Sequence, residues 1–132
     1  WDPENLEDSN RIGVITFYSK QKQIIRDELE NSLGKAVADR IEVGTVDSFQ
    51  GKEFGIVFLS LVRSNDTDSL GFIESKNRMC VALSRAIKCL VIVGDSGILK
   101  YNNAEEKIPA LIDFYSMCKK AKEGEPYELQ RA

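Results

Sequence analysis

The chain has 132 residues, 42% hydrophobic and 30% charged, the mix of one ordinary globular domain with its own core. A net charge of −3 gives no global basic field, which argues against a small module that binds nucleic acid by bulk charge and leaves room for a local phosphate-binding strip. Histidine is absent, and Cys80, Cys89 and Cys118 lack C-x-x-C spacing, so histidine triads, most catalytic zinc sites and a disulfide framework drop out in favour of reduced thiols in an intracellular protein.

Trp1 to Asn10 are acidic and polar, unlike a signal peptide. No apolar run approaches the ~20 residues of a membrane span, so no membrane partner is expected. The chain does not begin with Met. It is expected to be a single domain, 1–132 with a core of about 11–121, from a longer protein. Residues 12 to 18, IGVITFY, are β-branched and aromatic, a pattern that suits a strand buried on both faces. Ser19 is placed to cap a helix whose face is marked by Ile24, Ile25, Leu29 and Leu33 and whose end is Gly34. Residues 41 to 46 predict a second strand, Asp47 to Gly51 a turn or short helical turn, and residues 55 to 62 a third, buried strand.

Arg63 to Lys76 reads as a polar loop. Residues 77 to 87 predict a helix with Met79, Ala82, Leu83 and Ala86 on one face, and residues 89 to 93 a strand stopped by Gly94. Asp95 or Ser96 then caps a short helix. A last helix starts near Pro109 with Leu111, Ile112, Tyr115, Met117 and Cys118 as its apolar side, and the tail from Glu123 is expected to fray. Buried strands alternating with helices imply an α/β domain with a mostly parallel sheet, whose ligand groups are expected at the carboxyl ends of the strands.

Two segments carry chemistry. TVDSFQGKEF, Thr45 to Phe54, places Thr45, Asp47, Ser48 and Gln50 within six positions after a strand, with Gly51 open to close backbone approach and Lys52 and Glu53 adding charge. Alone, it reads equally as a solvated loop with a helix cap at Asp47 or Ser48. In NRMCVALSRA, Arg78 and Arg85 lie seven apart, about two helical turns, so both can point one way. A guanidinium fork matches phosphate oxygens. The competing reading is two surface arginines, one paired with Glu74.

In order, TVDSFQGKE, a strand ending LVRSN, GFIESKNRMCVALSRA and VIVGD resemble the superfamily 1 helicases, in the DNA2/NAM7-like branch that contains RNA-surveillance helicases. IGVITFYSKQ is similar to a further element of that family, and the likeness covers roughly residues 11 to 100. A series of this kind is far more specific than one motif.

The resemblance implies a RecA-like, P-loop NTPase-type three-layer sandwich, seen as the second, C-terminal motor domain. It implies that Arg85 is an arginine finger touching the γ-phosphate of ATP, with Gly51, Glu53 and Gln50 beside the nucleotide. Thr45 and Ser48 then meet nucleic-acid phosphates, and Thr16 and Tyr18 line the same track. Tyr18 either stacks a base or sits in the core. Arg78 is auxiliary, holding the motif loop through Asp66, Asp68 or Glu74.

Some departures stand out. Lys22 and Asn77 occupy positions where relatives often carry Arg, Ser84 replaces Thr, and Phe54 and Gly55 replace a more polar pair. The Asn77 change weakens any paired-arginine clamp. The sequence holds no G-x-x-x-x-G-K-[ST] to cradle the β- and γ-phosphates and no evident acid pair for Mg²⁺. The implied partners are therefore an N-terminal RecA-like domain that holds most of the ATP and Mg²⁺, and single-stranded DNA or RNA. The competing expectations are a degenerate helicase-like binding domain and an unrelated α/β binding domain.

Overall fold

The computed structural model describes residues 11–61, 75–100 and 104–122. The run from Ile12 forms strand β1 (Ile12–Thr16), followed by helix α1 (Ser19–Leu33), the short α2 (Lys35–Ala38) and β2 (Ile41–Thr45). A 3₁₀ turn (Asp47–Phe49) leads to β3 (Phe54–Ser60). Next come α3 (Lys76–Leu83), β4 (Ala86–Val93), a second 3₁₀ turn (Ser96–Lys100), α4 (Ala104–Lys107) and α5 (Pro109–Lys122). The four described strands are all parallel, in the order β2-β1-β3-β4.

The most apolar strands lie inside the sheet, because a parallel strand between two neighbours has both faces covered by connecting helices. On one face Ile15, Val57 and Leu59 join Met79 and Ala82 of α3 and Leu111 of α5 in a single buried cluster. The opposite face, which includes Thr16 and Ser60, meets α1 through Gln21, so helices cover the sheet from both sides. This is the α/β RecA-like architecture.

Two glycines make room for the motif aromatics. Gly13 and Gly44 lie on the same face of the adjacent strands β1 and β2. A Cβ at Gly13 meets Phe49 Cε1 and Phe54 Cγ, each at 3.0 Å, and one at Gly44 meets Ser48 Oγ and, at 2.6 Å, Phe49 Cε2. Phe49 and Phe54 are fully buried there, with ring centroids 5.0 Å apart at 47°. Gly44→Ala is therefore expected to overpack the core and cost about 1–3 kcal/mol. A melting temperature unchanged from wild type in circular dichroism defeats this account.

Several expected boundaries move. Ser19 makes no cap: the cap position is Tyr18, without a side-chain hydrogen bond. Of the expected α1 face, Ile25 and Leu29 are half-buried while Ile24 is 67% exposed and Leu33 48%. Ile25 and Leu29, one turn apart, are the covered pair; Ile24 sits a step of about 100° round the helix, and Leu33, its last residue, is exposed. Ser75 caps α3 by accepting from Arg78 N–H, and Asp95 caps the second 3₁₀ turn by accepting from Gly97 N–H at 2.8 Å.

The helix expected over 77 to 87 ends at Leu83. Ala86 and Ile87 look like helix-face residues, but the pairing of β3 with β4 draws them into the sheet. The expected loop over Arg63 to Lys76 and the frayed tail lie, save for Ser75 and Lys76, outside the described residues.

Candidate functional site

The segment between β2 and β3 crosses the sheet from one edge to the other. It leaves β2 at its carboxyl end, where Val46 N–H donates to Thr16 O (3.1 Å) at the matching end of β1. It reaches β3 at the amino end, where Phe54 N–H donates to Arg85 O (3.0 Å) just before β4. A five-residue strand separates these edges by about 15 Å. Helix α3 runs alongside, against the strand direction, and its eight residues span a similar ~12 Å.

Thr45 to Ser48 lie at the carboxyl edge, while Lys52 and Glu53 directly precede β3 at the amino edge. The cause is the parallel pairing: a chain that leaves β2 at its carboxyl end must return to the amino edge to begin β3, and Phe49, buried over Gly13 and Gly44, packs that crossing against the sheet.

At the carboxyl edge, Tyr18, Thr45, Asp47 and Arg78 line a cleft of about 210 Å³ together with Phe17, Ser19 and Val46. Tyr18 and Thr45 are half-buried, so each offers part of its surface to the cleft. Ser48 is exposed beside it, and its hydroxyl donates to Thr45 O at 2.7 Å. Thr16 does not face the cleft as expected. It is fully buried; its hydroxyl donates to Gln21 Oε1 and accepts from Tyr18 N–H at 3.2 Å. Gln21 in turn donates to Ser60 Oγ at 2.8 Å. Thr16 and Gln21 thus tie the ends of β1 and β3 to the first turn of α1, beneath Tyr18. Gln21 closes the IGVITFYSKQ element, but the sequence gives it no role because its partners Thr16 and Ser60 are set by the fold.

Arg78 makes a two-pronged ion pair with Asp47, Nε to Oδ1 and Nη2 to Oδ2, each 3.1 Å. The expected partners Asp66, Asp68 and Glu74 lie outside the described residues. The 31-residue separation of Arg78 from Asp47 is why the sequence alone did not suggest the pair.

At the amino edge Arg85 is folded back on its own chain. Nε donates to Val81 O (3.0 Å), Nη1 to Lys52 O (3.3 Å) and Nη2 to Ser84 Oγ (3.0 Å). Those bonds use three of five guanidinium N–H donors, which leaves two for an incoming group. Arg85 sits outside α3, so it and Arg78 do not share a helix face; each holds a different end of the crossing segment.

Gly51 has φ +80° and is exposed, with nothing within 4 Å of where a Cβ would stand. The left-handed φ favours glycine, and the bare backbone lets a ligand come close. Gln50 and Glu53 are exposed on either side of Gly51 and Lys52. Lys52 Nζ pairs with Glu42 Oε1 at 2.6 Å, and Glu42 also pairs with Arg11 at 2.9 Å. Among the described residues no group of three or more His, Cys, Asp or Glu could hold a metal ion.

A parallel sheet sandwiched by helices, with a charged loop cluster at each edge and one segment joining them, defines a RecA-like domain. Residues 3–97 match the family model AAA_12, described as an AAA domain. Aligned with a helicase required for RNAi-mediated heterochromatin assembly from Schizosaccharomyces pombe, the chain is 42% identical over 99 residues, 75% of this chain and 10% of that protein. It is 42% identical over 91 residues to regulator of nonsense transcripts 1 from Dictyostelium discoideum, 67% of this chain and 7% of that protein. It is 40% identical over 92 residues to helicase sen1 from S. pombe, 70% of this chain and 6% of that protein. The chain belongs to this AAA domain family and, with these relatives, to the superfamily 1 helicases of the DNA2/NAM7-like type. It spans a tenth or less of the length of these three curated relatives. No helix among the described residues is long and apolar enough to cross a membrane.

Proposed function

We propose that this chain is the second motor domain of an intracellular ATP-dependent DNA or RNA helicase or translocase, supplying an arginine finger and part of a single-strand track. The observation that carries the reading is the two-edged arrangement: Arg85, Gly51 and Glu53 at the amino edge and the Tyr18–Thr45 cleft at the carboxyl edge. Single-stranded nucleic acid crosses the carboxyl edge, where Thr45 and Ser48 meet phosphates. Hydroxyl contacts of this kind position a strand without reading its sequence. Tyr18 offers a ring face for base stacking, and Thr16 holds the backbone beneath it.

ATP with Mg²⁺ supplies the phosphoryl group, held mainly by a first, N-terminal RecA-like domain. The residues on this side fit a nucleotide: Gly51 leaves its backbone bare, Glu53 and Gln50 are exposed next to it, and Arg85 keeps two spare donors. Arg85 exchanges its bond to Lys52 O for an oxygen of the γ-phosphate as the two domains close. Its fork then stabilises the charge that develops during transfer. Different affinities for the open and closed states couple each cycle to a shift of the Thr45 and Ser48 grip.

The test is nucleotide hydrolysis, with and without single-stranded DNA and RNA. The isolated chain is expected to show no metal-dependent turnover above background, because positioning and electrostatics from one side of the cleft do not complete the site. The intact polypeptide that joins this domain to a first motor domain is expected to turn over, and faster with nucleic acid. An intact protein silent with both nucleic acids sinks the motor reading and favours the degenerate binding domain. Robust turnover by the isolated chain sinks the half-site reading.

A further inference from the structure

The crossing segment is braced against α3 at both ends, Arg78 to the Asp47 carboxylate at the carboxyl edge and Arg85 Nη1 to the Lys52 carbonyl at the amino edge. We infer that the Arg78–Asp47 pair is a positioning latch that transmits nucleotide state to the nucleic-acid track. This rests on the motor reading above and adds a named device to it.

The argument starts from what the pair does not do. Arg78 and Asp47 are 40% and 67% exposed in side chain, and ion pairs this open contribute little to stability. A two-pronged guanidinium–carboxylate fork does fix geometry, since two parallel bonds set both distance and plane. Here it fixes the turn that carries Thr45 and Ser48 to the start of α3. The far end of the same helix leads through Ser84 into Arg85, whose Nη1 holds Lys52. Helix and segment thus form a frame with one rigid corner at Phe49, which is fully buried, and one brace at each edge.

The side-chain brace at the amino edge, beside the backbone bond from Phe54 N–H to Arg85 O, is one long hydrogen bond from the group proposed to swing onto a phosphate. When it breaks, the Arg78–Asp47 fork is the brace that still makes the turn follow α3. Asp47 also carries a negative charge into the cleft wall beside Thr45. The fork balances that charge, so a phosphodiester can approach without facing a bare carboxylate.

The experiment uses the intact polypeptide with Asp47→Arg, Arg78→Asp, the double exchange, and the milder Asp47→Asn. Hydrolysis is measured without nucleic acid and at saturating single strand, and strand affinity is measured against salt. Each single change is expected to lower stimulation roughly tenfold, inside the range of coupling between sites. The double exchange is expected to restore most of the stimulation, and melting temperatures are expected to stay near wild type.

Full stimulation in Asp47→Asn and in both reversals overturns the latch while leaving the motor reading intact. So does a double exchange that stays weak with a salt slope reduced by about 0.7–0.9, because that marks Arg78 as a lost phosphate contact. A wild-type protein without any stimulation removes the motor reading itself, a result distinct from both.

Discussion

Arg85→Ala in the intact polypeptide is expected to bind ATP about as well as wild type and to lose roughly 10³-fold or more in strand-stimulated turnover, the range measured for arginine fingers. Binding survives because the proposed first motor domain holds most of the nucleotide. Turnover fails because the guanidinium acts on charge that exists only during transfer. Arg85→Lys is expected to recover little of the rate. A lysine offers one compact charge and cannot both approach a phosphate and keep the planar contacts to Val81 O and Ser84 Oγ that aim the group. Fluorescent-nucleotide binding alongside steady-state turnover separates the two effects. An Arg85→Ala protein that hydrolyses at the wild-type rate places the finger elsewhere.

The sequence made the alternation of strands and helices legible because a parallel sheet writes continuous apolar runs into the chain, as in IGVITFY and CLVIV. It made TVDSFQGKE and VALSRA legible as motifs by their order. It did not make legible how the crossing between two parallel strands divides the motif, or which face of the sheet it packs on. Thr45 and Gly51 are six residues apart, and nothing in their spacing shows that a buried ring between them pins the crossing to the sheet. Thr16 was misread for a related reason. A threonine closing a strand looks available, but a glutamine five positions on takes its hydroxyl. Arg85 reads as helical because Ala86 fits a helix face with Met79, Ala82 and Leu83 until its pairing with Phe54 of β3 is known. The Thr16 contact is local and the other two lie between segments distant in sequence, but all three are side-chain or strand pairings that a hydropathy pattern does not record.

Phe49 supplies the sharpest test of that crossing. It lies inside VDSFQGKE, among side chains proposed to meet ligand, and a ring there invites assignment to base stacking. Its surface is fully buried, with Phe54 at 5.0 Å and the bare backbones of Gly13 and Gly44 beneath it. Phe49→Ala empties that space, and glycines have no side chain with which to refill it. A loss of about 3–5 kcal/mol is expected, a large part of the 5–15 kcal/mol that holds a typical domain together. For a domain of this size that corresponds to a fall of roughly 10–20 °C in melting temperature. Phe49→Leu keeps most of the volume and is expected to melt well above the alanine variant. If Phe49→Ala instead melts like wild type and only loses affinity for single strands, the ring is a ligand contact. The crossing is then held by strand connectivity alone, and the frame that joins the two edges loses its fixed corner.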